Sequence, residues 1–153
     1  MSHERVDRSP PDAGGPSAPL DGADALVRRV LRERIGEPIA LYRFGSSVEG
    51  PLRPDSDLDY AVLAAAPLDP VERFELQEHL AGLLRRSVDL VDLRRASTVM
   101  RMQVISRGVV VAVSDAVEKE RFELLVYASY ARLNEERREI LAQIAREGHV
   151  YGR

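Results

Sequence analysis

The sequence predicts an α+β domain in which a small mixed β-sheet is flanked by α-helices and followed by a long C-terminal helix. Three observations carry that expectation. Four short apolar runs of strand length lie at residues 39–44, 57–63, 88–93 and 109–113. Segments with apolar residues at helical spacing stand before the first run and in the two later gaps. Residues 115–147 contain neither Gly nor Pro, so one long helix or two packed ones should fill that stretch.

Each element has a local reason. From Asp21, Ala25, Leu26, Val30, Leu31 and Ile35 recur at helical spacing, and Gly36 followed by Pro38 ends the helix. Residues 39–44 and 57–63 read as strands. Asp69 before Pro70 is a helix cap followed by proline at the first helical position, opening a helix to about residue 86. Its apolar stripe is Phe74, Leu76, Leu80, Leu83 and Leu84. A strand follows at 88–93, then a short helix over 97–106 that Arg107-Gly108 closes, then an all-apolar strand at 109–113. Phe122, Leu125, Val126, Ser129, Leu133, Ile140 and Ile144 mark the inner stripe expected of the last helix.

The 153 residues divide into three stretches. Residues 1–20 form a Pro/Gly-rich tail with too little apolar material to offset its ordering entropy, and are expected to be disordered. Residues 21–113 form the sheet-bearing core, and 114–153 a helical segment that packs on it and offers a surface to a partner. With 22 basic and 25 acidic side chains the net charge is −3, which argues against direct nucleic-acid binding. There is no Cys, which excludes a disulfide scaffold, a thiolate metal site and a cysteine nucleophile. The N-terminus lacks an apolar signal core, and the longest run without a polar residue, 60–68, is too short to cross a bilayer. A cytoplasmic protein without a membrane anchor is expected.

The chemistry concentrates in Phe44-Gly45-Ser46, ten intervening residues, and Asp57-Leu58-Asp59. Residues i and i+2 of a strand share a face, so Asp57 and Asp59 should project side by side. Two such carboxylates repel unless a cation lies between them, and hard oxygen donors favour Mg²⁺ or Mn²⁺ over zinc. Gly45 lets a polyphosphate approach the backbone, and Ser46 adds a hydroxyl and N–H donors. A third carboxylate comes from the strand Val88-Asp89-Leu90-Val91-Asp92-Leu93. Asp89 and Asp92 face opposite sides there, and Asp89, inside the strand, is the candidate, while Asp92 caps the following turn. An isolated Asp-x-Asp is most often a solvated surface feature. Two acid-bearing apolar strands in one small sheet are costly without a ligand, and that favours a site.

These residues resemble the signature of the polymerase-β nucleotidyltransferase superfamily. The size, together with Arg53-Pro54-Asp55-Ser56-Asp57-Leu58-Asp59, the Asp89 strand and Tyr130-Ala131-Arg132-Leu133-Asn134, is similar to the minimal nucleotidyltransferase antitoxins of MntA type. Those antitoxins pair with HEPN-domain (HepT-like) toxins. The resemblance covers about residues 22–150 and implies a polymerase-β-like nucleotidyltransferase fold. It implies a protein adenylyltransferase that moves AMP from ATP to a tyrosine hydroxyl of the toxin and neutralises it, as part of a hetero-oligomer. Asp57, Asp59 and Asp89 would hold two Mg²⁺ ions, and Asp89 would accept the hydroxyl proton. Gly45 and Ser46 would hold the terminal phosphates. Relatives commonly carry a basic residue where this chain has Glu49, which shifts that duty to Arg43 or Arg53. Two alternatives stay open: an antitoxin that acts by binding alone, and an enzyme that adenylylates a small molecule of aminoglycoside type. His79 reads as a surface residue. His149-Val150-Tyr151 resembles part of a HEPN ribonuclease motif, but the arginine that motif requires is missing at Ile144, Gln143 and Ala142.

Overall fold

The structure, a computed structural model, describes residues 21–50, 53 and 56–151, so the tail expected over 1–20 lies outside the described residues. The side chains of His149 and Tyr151 also lie outside them. The elements are α1 (Asp21–Ile35), β1 (Ala40–Phe44), α2 (Ser46–Glu49), β2 (Leu58–Leu63), α3 (Pro70–Leu84), β3 (Val88–Asp92), α4 (Thr98–Arg107), β4 (Val109–Val113) and α5 (Ala116–Tyr151). The strands form one sheet in the order β3-β2-β1-β4. β1 is antiparallel to both β2 and β4, whereas β2 and β3 run parallel. The expected mixed sheet, flanking helices and long last helix are all present.

Local chemistry sets the boundaries. Gly36 takes φ +85° and returns its N–H to the Arg32 carbonyl at 3.1 Å, ending α1. Asp69 caps α3 by accepting from the Glu72 N–H at 3.1 Å, and Ser97 caps α4 by accepting from the Met100 N–H at 3.1 Å. α3 stops at Leu84, short of residue 86, because Arg85 adopts a left-handed conformation at φ 52°. α2 is a single helical turn that opens directly after Gly45.

The sheet is covered on both faces. One core joins Val27, Val30 and Leu31 of α1 and Leu76 and Leu80 of α3 to Leu41, Leu58, Tyr60, Val62, Val88 and Leu90. The other joins Val104 of α4 and Phe122 and Val126 of α5 to Ala40, Tyr42, Phe44, Ala61 and Leu63. Every residue of β1, a central strand, is therefore buried. The free edge of β3 is closed by α3. Gln77 accepts from the Leu90 N–H at 3.0 Å, and Arg73 donates to the Leu90 carbonyl at 2.9 Å.

Two expected stripes need correction. In α3, Phe74 and Leu83 are half-exposed. Phe74 lies about 200° around the helix from Leu76, off the face that meets the sheet. In α5, Phe122 and Val126 are buried, and the Tyr42 hydroxyl donates to Glu123 at 2.7 Å, fastening the helix to β1. Leu125 is exposed because it lies off the face that Phe122 and Val126 share, and every described residue from Glu135 to Gly148, Ile140 and Ile144 among them, faces solvent because the helix runs past the layer it covers. No helix among the described residues is long and apolar enough to cross a membrane.

Candidate active site

β2 and β3 are in register so that Asp59 lies directly opposite Asp89. Both carboxylates stand on the face that farther along carries Ala61, Leu63 and Val91, the face covered by α4 and α5. Asp57 sits one residue ahead of β2, because ladder pairing begins where the Leu58 N–H donates to the Ser87 carbonyl at 2.9 Å. The expectation that Asp57 belongs to the strand is corrected accordingly. Its charge still reaches Asp59. Burial, then the charge of Asp89, then that of Asp57 raise the Asp59 carboxyl above its ordinary pKa.

Gly45 completes this corner. Phe44 is the register partner of Asp59, so the chain turns immediately beside that carboxylate. Gly45 turns with φ +74°, and a Cβ placed on it would fall onto Oδ2 of Asp59. Glycine is required there twice, for the backbone angle and for the space. Ser46 opens α2 with an exposed side chain, and Ser47 is buried, its hydroxyl donating to the Phe44 carbonyl at 3.3 Å.

The three carboxylates are gathered but not enclosed. Among the described residues no three acidic or histidine side chains close into a cage that would hold an ion as they stand. The donor chemistry fits a hard divalent cation nonetheless. Asp59 lies in register with Asp89, and after burial the charges of Asp89 and Asp57 both reach it.

Arg43 does not join them. It is the register partner of Tyr60, which puts its side chain on the opposite face of the sheet, where it is wholly buried. Its Nε donates to Asp24 Oδ1 at 3.2 Å and its Nη1 to the Ser47 carbonyl at 2.9 Å, and Tyr60 donates to the same Asp24 oxygen at 2.6 Å. The expected contact with a nucleotide is thus replaced by a structural one, holding α1, β1 and the turn after Gly45 together. Arg53 is exposed. Its carbonyl accepts from Arg86 Nη2 at 2.7 Å, and the Ser56 carbonyl accepts from the same nitrogen at 2.8 Å. Arg86 thereby steadies the approach to Asp57, a role the sequence gave no sign of. Asp92 is buried and accepts from the Leu68 N–H at 2.8 Å and the Arg94 N–H at 2.9 Å, a cap at the end of β3 well away from the other acids.

The corner thus sets a glycine turn against a strand carboxylate, with a second acid in register beside it. The family described as Polymerase beta, Nucleotidyltransferase matches residues 27–117, the stretch that carries all four strands. The chain belongs to the polymerase-β nucleotidyltransferase family. This nucleotidyltransferase is 38% identical over 118 residues to protein adenylyltransferase MntA of Shewanella oneidensis, covering 77% of this chain and 84% of that protein. It is similar to a crystal structure of a toxin–antitoxin with AMP-PNP, at 37% identity and a TM-score of 0.70, over 80% of this chain and 98% of that one. A chain from the complex of tri-AMPylated Shewanella oneidensis HEPN toxin with MNT antitoxin matches at 34% identity and TM-score 0.68, over 82% and 98%.

Proposed function

We propose that this protein is an antitoxin adenylyltransferase that transfers AMP from ATP to a tyrosine hydroxyl of a HEPN-domain toxin and so neutralises it. The observation that carries the reading is the contact of the Gly45 turn with Asp59, itself in register with Asp89. That corner can bring a polyphosphate and an acceptor to the same carboxylates. Similarity to MntA and to toxin complexes supports the choice of acceptor.

Asp57, Asp59 and Asp89 would hold Mg²⁺, two ions in this reading. Bound there, Mg²⁺ would neutralise charge on the phosphates and make the acceptor hydroxyl more acidic. The chain's own residues do the rest. Gly45 admits the phosphates to the backbone, and Ser46 offers a hydroxyl beside them. The tyrosine oxygen attacks the α-phosphorus in line, the bond to the α–β bridging oxygen breaks, and pyrophosphate leaves. Asp89, exposed at the rim, accepts the tyrosine proton. The exposed apolar and aromatic side chains along α5, Tyr127, Ile140, Leu141 and Ile144, support a docking surface for the toxin and hence a hetero-oligomer. Use of ATP supports a cytoplasmic location.

The test is co-expression with a HEPN toxin encoded beside this chain, followed by intact mass spectrometry. The toxin should gain mass in whole AMP units and growth should recover. The Asp57→Ala, Asp59→Ala double variant should bind the toxin yet neither modify nor neutralise it. A toxin of unchanged mass together with full rescue by the double variant would establish protection by binding alone and sink the catalytic reading.

Asp92 provides the contrast among the acids. Asp92→Asn is expected to cost about 1–2 kcal/mol of stability in urea denaturation, through weakened bonds to two backbone N–H groups. Its AMP transfer should stay within about twofold of wild type. A loss comparable to that of Asp89→Asn would mean that the two acids have been assigned to the wrong faces.

A further inference from the structure

The rim of the nucleotide corner carries a charge that works against its proposed ligand. Glu49 closes α2, about one helical turn from Gly45 and Ser46, and is exposed. With Asp57, Asp59 and Asp89 it makes a fourth carboxylate around a site meant for polyphosphate, and repulsion alone would weaken binding.

The fold brings a cation to this place from a distant part of the chain. β1 and β4 are antiparallel with Arg43 opposite Val109, so the residues just before β4 lie alongside the end of β1 and the turn at Gly45. Gly108 enforces that approach. A Cβ on it would meet the Arg43 carbonyl oxygen at 3.2 Å and would fall onto the Val104 carbonyl oxygen, so only glycine lets the chain pass this close. Arg107, immediately before it, extends its guanidinium to Glu49, with Nη1 3.7 Å from Oε1. The arginine side chain remains 70% exposed, so most of its donors stay open to a ligand. It also lines a cavity of about 350 Å³ with Val99, Met102, Gln103, Ser106 and Tyr130, on the α4–α5 side of the sheet that carries Asp59 and Asp89.

An exposed ion pair at this separation adds little to stability. Its consequence lies in where it puts the guanidinium. We propose that Arg107 binds the polyphosphate of the nucleotide at the Gly45–Ser46 turn, where its charge offsets that of Glu49. The inference rests on the proposed nucleotide site. On binding, a phosphate oxygen offers Arg107 a charge-assisted hydrogen bond stronger than its loose contact with Glu49. The arrangement assigns opposite duties to the two partners, which a simple surface pair would not have.

The experiment measures Mg·ATP binding by calorimetry and steady-state AMP transfer with full-length protein and its toxin. Arg107→Gln should weaken ATP binding about tenfold and raise the KM for ATP by a similar factor, with kcat within about twofold. Arg107→Lys should recover part of the loss, since it keeps the charge but not the forked geometry. Glu49→Gln should bind ATP as tightly as wild type or tighter, because a repelling charge is gone. If wild type binds ATP and Arg107→Gln binds it equally well, the inference is overturned while the nucleotide site stands. If Glu49→Gln and Arg107→Gln weaken binding alike, the pair is merely structural and the inference is again overturned. If wild type binds no Mg·ATP at all, the nucleotide reading and this inference fall together.

Discussion

Asp59→Asn is expected to lower AMP transfer about 10³-fold or more, a loss of roughly 4 kcal/mol of transition-state stabilisation, without lowering the melting temperature. The two halves of that expectation have one cause. Asp59 is half-buried between Asp57 and its register partner Asp89, and burial and both charges raise its carboxyl. A carboxyl raised in the folded state is one whose ionised form the fold disfavours. The penalty is absent below the unfolded pKa and sets in as the pH rises through the interval up to the raised folded value. At neutral pH the charge therefore subtracts stability, and an isosteric amide removes the penalty while keeping the shape that Gly45 packs against. Thermal melts in EDTA should show Asp59→Asn at or above wild type, and Mg²⁺ with ATP should stabilise wild type only. Asp57→Asn and Asp89→Asn should lose transfer as well. Near wild-type transfer by Asp59→Asn would remove it from the site, and a melting temperature lower by several degrees would make it a structural partner instead.

Much of this corner was legible in the sequence because it is local. The Gly-Ser pair and the Asp-x-Asp pair are each read within two or three residues, and the face of Asp89 follows from strand alternation. Arg43 was misplaced because its face depends on register. β1 is buried at all five positions, so no polar and apolar alternation marks which way Arg43 points. Only the pairing of Phe44 with Asp59, and hence of Arg43 with Tyr60, settles it. One signal was present and unused: Asp24 sits in step with Val27 and Leu31 on the buried stripe of α1, where an acid demands a partner. Arg86 carried no such signal, since its contacts with Arg53 and Ser56 span 33 and 30 residues. The overextended stripe of α5 has a different origin. Helical periodicity reports which residues share a side, but not how far the layer beneath extends, and Ile140 and Ile144 keep the period beyond the core.

The buried cluster on the far face leads to the second large effect. Arg43→Leu should destabilise the protein by about 3–5 kcal/mol, because Asp24 would be left in the interior without its cation. For a chain of this size that corresponds to a drop of about 10 °C in melting temperature. The geometry makes the loss more than one ion pair. Arg43 also donates to the Ser47 carbonyl at 2.9 Å, and Tyr60 shares the same Asp24 oxygen at 2.6 Å. Yet the wild-type arrangement is itself imperfect: Nη2 of Arg43 is buried without a hydrogen-bond partner among the described residues. Removing both charges should then recover part of what removing one loses, the rest being the cost of the Tyr60 hydroxyl and Ser47 carbonyl left without these partners. The Arg43→Leu, Asp24→Leu double variant is expected to melt above the Arg43→Leu variant yet below wild type. The Arg28–Glu37 pair, 3.1 Å apart but partly exposed, serves as the control, and Arg28→Leu should change stability by no more than about 1 kcal/mol. If Arg43→Leu melts with wild type, the cluster does not hold α1 to the sheet. If the double variant is no better than the single ones, the coupling between Arg43 and Asp24 is absent, and the loss belongs to the Ser47 contact that shapes the turn after Gly45.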